Sequence, residues 1–473
     1  MSMKIVLFRL RIIFCAFCLC LAGVPLSAAA AAAEANISAV KQEYVDAYFI
    51  QTAAASCMGI YKADNAVEFD FLRGNGWKIE RTFLSDGKVE PYFIIARNYF
   101  RDIKKHIYLV TFRGSASKKD WNVNLKTSRV AYGGSTLAEM EEIAAQTKVD
   151  KTVPAVHEGF NAYVQQVLQS SVVDGGTLRG VFRYAAESPD TYLIITGHSL
   201  GGAAATLLGQ RLLDLGLPAE RFEVITFGAP AIGNEAMANA YGNRLKLTRV
   251  TNTLDPVPGS LQTFFGGYKQ FGVNRKYSVS PRVNDSQHDM ALYFDRSVSD
   301  FYKAEDAAAA AGAAKKLPEK HIVPDQPLVA VWVQTAPGIA KHEYVPDIKR
   351  FITNEYKRAL PSYVVMSSGL DFNSYRSEDI ISLSRQAGAD YVLVCGVDGR
   401  QPADSNYWYI SLEQAVFASD GGLLTLSSFA KKVSPASGNI QAAGEGFLQA
   451  REELRAALPF VITRHEGRLR YAG

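Results

Sequence analysis

Cysteine is scarce in this chain: five among 473 residues, and three of them, Cys15, Cys18 and Cys20, fall in an apolar run near the start. That leaves Cys57 and Cys395, too few for a disulfide-stapled scaffold. Stability must come from a large buried core, in which both thiols are expected as small apolar fillers, although an oxidising compartment would still allow them to pair. Excess charge of one sign is equally scarce. The formal net charge is +4, and Lys4, Arg9 and Arg11 in the acid-free first 33 residues supply three of it, leaving +1. No nucleic-acid footprint survives that subtraction. Apolar residues make up 48% and charged residues 21%, which excludes collagen-like, wholly disordered and polytopic membrane chains and leaves a globular protein of at least two domains.

The first 33 residues read as an export signal. Basic residues at Lys4, Arg9 and Arg11 precede an apolar run from Ile12 to Leu26, then Ser27 and an alanine tract ending before Glu34. Several small-x-small frames put the mature start between Ala29 and Asn36. Ile12 to Ala33 is also long enough to cross a bilayer uncleaved, but Pro25 and the order of the regions favour removal. The destination is a periplasm or the outside of the cell.

Beyond Glu34, apolar residues at helical spacing run from Ala39 to Cys57, and short strand-like runs follow at Tyr92–Ile95, Ile107–Phe112, Tyr192–Thr196, Phe222–Phe227 and Leu247–Val250. Helical stretches separate the later ones. Alternation of this kind predicts an α/β fold with a mostly parallel, doubly covered sheet. Near 304–320 the composition turns to alanine and lysine, as expected of a connector. The pattern then restarts, with strands at Leu328–Val333, Tyr363–Met366, Tyr391–Cys395, Trp408–Val416 and Leu423–Ser428 among helices. The expected division is a signal over 1–33, a larger α/β domain over 34–303, a linker over 304–320 and a smaller α/β domain over 321–473, able to fold alone.

The strongest chemical pattern is Gly197-His198-Ser199-Leu200-Gly201, directly after the strand Tyr192–Thr196 and before a helix of small residues. A serine on such a tight strand-to-helix turn holds its hydroxyl clear of the backbone, and only glycines let strand and helix approach so closely. A nucleophilic serine needs a base, and the base needs a carboxylate to orient it. In this fold the chain order is Ser, acid, His. His288 is the only histidine between Ser199 and the linker. Asp255 sits just after the strand ending Val250-Thr251-Asn252, where α/β sites gather; Asp214, Asp285 and Asp289 are its rivals. His198 adjoins the serine, so its side chain should point elsewhere. His157 lacks a second ligand at metal-binding spacing and reads as a structural turn residue. No metal or cofactor is called for.

These residues resemble the class 3 lipases, the fungal-lipase-like α/β-hydrolases. Five motifs in order carry the resemblance: Thr111-Phe-Arg-Gly114-Ser115 with Asp120-Trp121 and Asn124-Leu125, Val156-His157-Glu-Gly159-Phe160, the serine turn, Thr226 through Asn234, and Val250 through Pro258. His288 to Phe294 resembles the terminal histidine motif. Ala231 and Asn124 depart from residues common in the family, at places where lid and loop docking vary. The resemblance implies a serine carboxylic ester hydrolase acting on a lipid or ester substrate at an interface. Its catalytic residues would be Ser199, Asp255 and His288, with the backbone N–H of Leu200 and the N–H and hydroxyl of Ser115 receiving the oxyanion. It also implies a lid over Ser117–Thr127, bearing the apolar Trp121, that moves to open the site. A phospholipase A-type activity is the alternative, and an envelope interaction protein with a weak hydrolase domain is a second. The carboxyl-terminal domain resembles, in element order alone, small periplasmic domains of the Tol system and of lipoprotein activators of cell-wall synthases, which implies an envelope protein as partner.

Overall fold

The computed structural model describes residues 26–462, apart from 63–65, 84–90, 102, 116–127, 147–148, 170–177, 265, 279–285, 337–342, 368–373, 401–407 and 434–437. The expected signal falls largely outside these residues, and the expected lid entirely so. No helix of the described residues is long and apolar enough to cross a membrane.

The first unit is built on a seven-stranded sheet. Its strands are β1 (Lys78–Phe83), β2 (Tyr92–Phe100), β3 (Lys105–Phe112), β6 (Thr191–His198), β7 (Phe222–Phe227), β8 (Leu247–Asn252) and β9 (Val273–Tyr277), lying side by side in that order. From β3 to β9 every pairing is parallel, while β1 and β2 add antiparallel neighbours. β4 (Arg129–Ala131) and β5 (Ala155–His157) form a separate two-stranded ribbon. β7 is buried at all six positions, as a strand covered on both faces must be.

Helices cover both faces. In chain order they are α1 (Leu26–Gly59), α2 (Val67–Gly74), α3 (Leu137–Ala144), α4 (Glu158–Gln169), α5 (Leu178–Glu187), α6 (Leu200–Asp214), α7 (Glu235–Tyr241), α8 (Val257–Phe264) and α9 (Met290–Ala310). One apolar cluster gathers α4, α5 and α6 against one face of the sheet. α6 can approach so closely because its side chains are small: a Cβ on Gly202 would come within 2.7 Å of the Ala229 Cβ, and one on Gly209 within 2.7 Å of Val224. α1 and α9 lie together over the opposite face. α1 is pinned there by the Ser56 and Thr111 hydroxyls, 2.6 Å apart, and by Cys57 Sγ, 3.4 Å from Thr196 Oγ1.

A second, smaller α/β unit carries a six-stranded sheet in the order β10 (Lys320–His321), β12 (Tyr363–Val365), β11 (Val329–Thr335), β13 (Tyr391–Arg400), β14 (Trp408–Ala418) and β15 (Leu423–Val433). Its helices are α10 (Val345–Ala359), α11 (Ser377–Ala387) and α12 (Asn439–Ala457). The α/β class is therefore observed in both halves. The expected connector is another matter. α9 continues through Ala310, and Ala304, Glu305, Ala308, Ala313 and Ala314 are buried. Alanines read as a spacer are contact residues, because a methyl group lets neighbouring elements close in on the helix.

One hydrophobic cluster then runs through both units. It joins Tyr48, Phe69 and Ile194 of the first to Phe301 of α9 and to Val331, Phe351, Cys395 and Phe447 of the second. Ion pairs stitch its rim: Arg451 of α12 makes two bonds to Asp70 of α2, at 2.8 and 3.0 Å, and Arg350 of α10 holds Asp306 and Glu305 of α9. Cys57 and Cys395 are both buried and unbridged, and burial pushes each thiol up to about 12.

Candidate active site

The carboxyl ends of β3, β6, β7 and β8 converge on one edge of the first sheet. At the end of β6, the fourth strand of seven, Ser199 adopts φ 58°, ψ −125°, a conformation that costs a non-glycine residue roughly 1–3 kcal/mol and persists only where its surroundings enforce it. The enforcement is visible. Ser199 N donates to Phe227 O at 2.9 Å, while Ser199 O accepts from Gly202 N and Ala203 N. The flanking glycines have no alternative, since a Cβ on Gly197 would fall 2.2 Å from the Gly201 carbonyl carbon and one on Gly201 would fall 2.2 Å from Phe112 O. Leu200 begins α6, where backbone N–H groups lack partners within the helix.

Asp255 lies beyond β8 with its side chain wholly buried. One carboxylate oxygen, Oδ1, accepts from Val257 N at 2.8 Å. The other, Oδ2, lies 2.8 Å from His288 Nδ1 and accepts from Tyr293 Oη at 2.5 Å. Burial and the neighbouring Asp255 charge hold the Tyr293 phenol well above its ordinary range, so it stays a donor to that carboxylate. Tyr293 Oη in turn accepts from Asn252 N at 3.1 Å, and Asn252 Nδ2 donates to Gln287 O at 2.9 Å. The acid loop and the histidine loop are thus cross-tied on both sides of the Asp255–His288 contact. His288 Nε2 is buried and has no hydrogen-bond partner among the described residues. Gly228, at φ 56°, makes room for the pair: a Cβ there would lie 2.7 Å from Asp255 Oδ2 and 3.0 Å from the His288 ring.

His198, expected to turn away, is part of this framework. Its Nε2 lies 2.8 Å from His288 O. A carbonyl only accepts, so Nε2 carries the proton and Nδ1 is left to accept from Tyr61 Oη at 3.3 Å. Tyr61 Oη itself accepts from Gly114 N at 2.9 Å. Burial, with the tilted His288 ring 4.5 Å away, keeps the His198 imidazole well below its ordinary range and therefore neutral. A directed relay results, running from the turn at the end of β3, through Tyr61 and His198, to the backbone of His288. Ser115 follows Gly114 on that turn, and a Cβ on Gly114 would come 3.4 Å from the Ser199 Cβ.

The other candidates fall outside the cluster. Asp214 accepts from Tyr132 Oη at 2.5 Å and from Arg244 at 2.9 Å. Asp289 stands at the N-cap position of α9 without a side-chain capping bond, and Asp285 lies outside the described residues. His157 Nδ1 accepts from Gly159 N and Phe160 N at 3.1 and 3.3 Å, a hydrogen-bonded turn. Among the described residues no group of three His, Cys, Asp or Glu is placed to hold a metal ion. Sequence reasoning missed Tyr61, whose hydroxyl meets residues more than fifty positions away and leaves no local spacing to read.

Residues 109–264 match the family model for lipase (class 3). Among curated proteins, the chain is 30% identical over 237 residues to a phospholipase A1 from Oryza sativa subsp. indica, covering 45% of this chain and 52% of that one. It is 29% identical over 162 residues to a secreted mono- and diacylglycerol lipase from Fusarium solani, covering 33% and 40%. The chain thus spans about half or less of the length of these relatives. Among solved structures, the triacylglyceride lipase of Rhizomucor miehei is 22% identical, covers 51% of this chain and 81% of that one, and superposes with a TM-score of 0.38.

Proposed function

We propose that this chain, similar to class 3 lipases over residues 109–264, is an exported serine ester hydrolase acting on acylglycerols or related lipids. The observation that carries the reading is the buried Asp255–His288 contact, with Nε2 of the histidine unpaired among the described residues, beside a serine held in a strained turn. Ser199 Oγ attacks the ester carbonyl carbon as His288 Nε2 takes its proton. Asp255, through Oδ2, keeps the imidazole in the tautomer with Nδ1 protonated and stabilises the cation that forms. Charge on the carbonyl oxygen falls to the N–H of Leu200 and to Ser115, each such donor being worth about 3 kcal/mol of barrier. As the tetrahedral intermediate collapses, His288 returns the proton to the departing alcohol. Water, activated by the same histidine, then hydrolyses the acyl-enzyme.

The names of the relatives cover both acylglycerol and phospholipid substrates, and the residues of the triad serve either. Export is supported by the basic, apolar and small-residue order of the first 33 residues and by a relative described as secreted. The test is Ser199→Ala assayed on esters of rising chain length together with a diacyl phospholipid. Hydrolysis should disappear for every substrate the parent cleaves, with the folding midpoint unchanged within a degree or two. Full activity in the variant would sink the mechanism.

A further inference from the structure

The second unit meets the first, close to the candidate site, at a buried carboxylate. Asp295, on the second turn of α9, is fully buried, and its two oxygens receive the amino end of α12 from the other half of the molecule. Oδ2 accepts from Asn439 N at 2.7 Å and from Asn439 Nδ2 at 3.0 Å, and Oδ1 accepts from Ile440 N at 3.1 Å. An acid supplied from elsewhere in the chain thus does what a residue at the helix's own N-cap usually does. Gly438, which occupies that N-cap, has no side chain to offer. Nor could it have one, because a Cβ on Gly438 would fall 2.4 Å from Asp295 Oδ1.

The same first turns of α9 carry the catalytic geometry. His288 and Asp289 lead directly into the helix, and Tyr293, two residues before Asp295, donates to Asp255 at 2.5 Å. A helix moves as a body over such a distance, so whatever fixes Asp295 also fixes Tyr293 Oη and the start of α9. Arg350 grips the far end of α9 through Glu305 and Asp306, but those residues lie about three turns from the site. Asp295 is the anchor nearest the chemistry.

We infer that Asp295 is a positioning residue through which α12 of the second unit sets the alignment of His288 and Asp255. The inference rests on the hydrolase reading above. It makes residues 321–473, expected from sequence to fold alone, a working part of the catalytic architecture.

The test compares Asp295→Ala, Asp295→Asn and Gly438→Ala with Arg451→Ala in the full chain. Arg451→Ala cuts the Asp70 ion pair of the same interface and leaves the α12 cap in place. Active sites are counted by titration with a reactive phosphonate ester, and turnover of a soluble short-chain ester is expressed per titrated site. This removes any effect of a smaller folded fraction. Asp295→Ala and Gly438→Ala should each lower kcat per site at least tenfold with KM unchanged within twofold. Asp295→Asn should lose less, since it keeps one acceptor oxygen, and it decides the matter should the alanine variants fail to fold. Arg451→Ala should melt earlier yet turn over normally per site. Wild-type kcat per site in the Asp295 and Gly438 variants, or an equal loss in Arg451→Ala, would overturn the inference. Failure of the parent reading has a different signature: a wild-type protein that the phosphonate does not titrate, or hydrolysis that survives Ser199→Ala.

Discussion

Replacing Gly228 with alanine places one methyl group where the candidate site has no room. The position has φ 56°, and a Cβ there would stand 2.7 Å from Asp255 Oδ2 and 3.0 to 3.1 Å from His288 Cε1 and Nδ1. Ordinary contact begins near 3.4 Å, so the carboxylate or the backbone must yield by about 0.7 Å, and misplacement on the order of 1 Å can cost 10²-fold in rate. Stability suffers in two ways. The left-handed backbone costs a residue with a Cβ roughly 1–2 kcal/mol, and overpacking adds about 1–3 kcal/mol. Gly216→Ala separates the two effects, because its φ of 90° is equally unfavourable but nothing lies within 4 Å of its Cβ. The expected result is that both variants melt earlier, while only Gly228→Ala loses turnover, by about a hundredfold per titrated site on a soluble ester. Wild-type turnover in Gly228→Ala would refute the assignment of the Asp255–His288 contact to catalysis. An equal loss in Gly216→Ala would show that the rate follows general stability.

Three further outcomes are expected. Asp255→Asn should reduce kcat by roughly 10⁴-fold through loss of imidazole orientation; Asp214→Asn, which weakens only the Tyr132 and Arg244 contacts, should change the melting temperature and leave kcat alone, as steady-state kinetics would show. Tyr61→Phe leaves Gly114 N and His198 Nδ1 without their shared partner; an orphaned buried group costs about 1–3 kcal/mol, and a fall in kcat of about tenfold, with less change in KM, is the expected reading. Glu68 is buried at the seam of the two units, and burial pushes its carboxyl up to about 7. The folded protein therefore holds a proton that the unfolded chain releases near its ordinary 4.5. This contribution is fully present below that value, falls as pH rises and is gone above about 7, a change of roughly 3 kcal/mol. Denaturant titrations of the parent and Glu68→Gln should diverge across this window, with the variant losing less stability from pH 5 to 8; identical pH dependence would refute the assignment.

Much of the site was legible because its chemistry follows spacing and order. The turn around Ser199 needs small residues at fixed offsets, and chain order left one histidine, His288, before the expected linker. The acid was chosen over its rivals by its place after β8. What escaped reading was long-range. Tyr61 meets His198 across 137 positions, and no local pattern records such a contact. β9, Val273-Asn-Arg-Lys-Tyr277, is an edge strand with mostly solvent-facing side chains, so it lacks the apolar run by which β6 and β7 announced themselves. The alanines after residue 303 misled for the opposite reason. Alanine suits a solvated helix and a tightly packed one equally well, and only the neighbours decide which it is.

The apolar cluster shared by the two units also sets a timetable. Its members run from Tyr44 to Val461, and the Arg451–Asp70 and Asn439–Asp295 bonds close loops of 381 and 144 positions. A chain delivered amino end first, whether from a ribosome or through a secretion pore, presents Ser199, Asp255 and His288 long before the helix that docks on α2 and α9. Until α12 arrives, Val67 of α2 lacks the cover that the helix gives it at Gly444, a state prone to aggregation and attractive to chaperones. Contacts closed over such distances also form slowly. Hydrolytic activity should therefore emerge only after the last helix has been released, and a stalled or clipped chain ending before residue 439 would be a client for holding factors rather than a partly working enzyme.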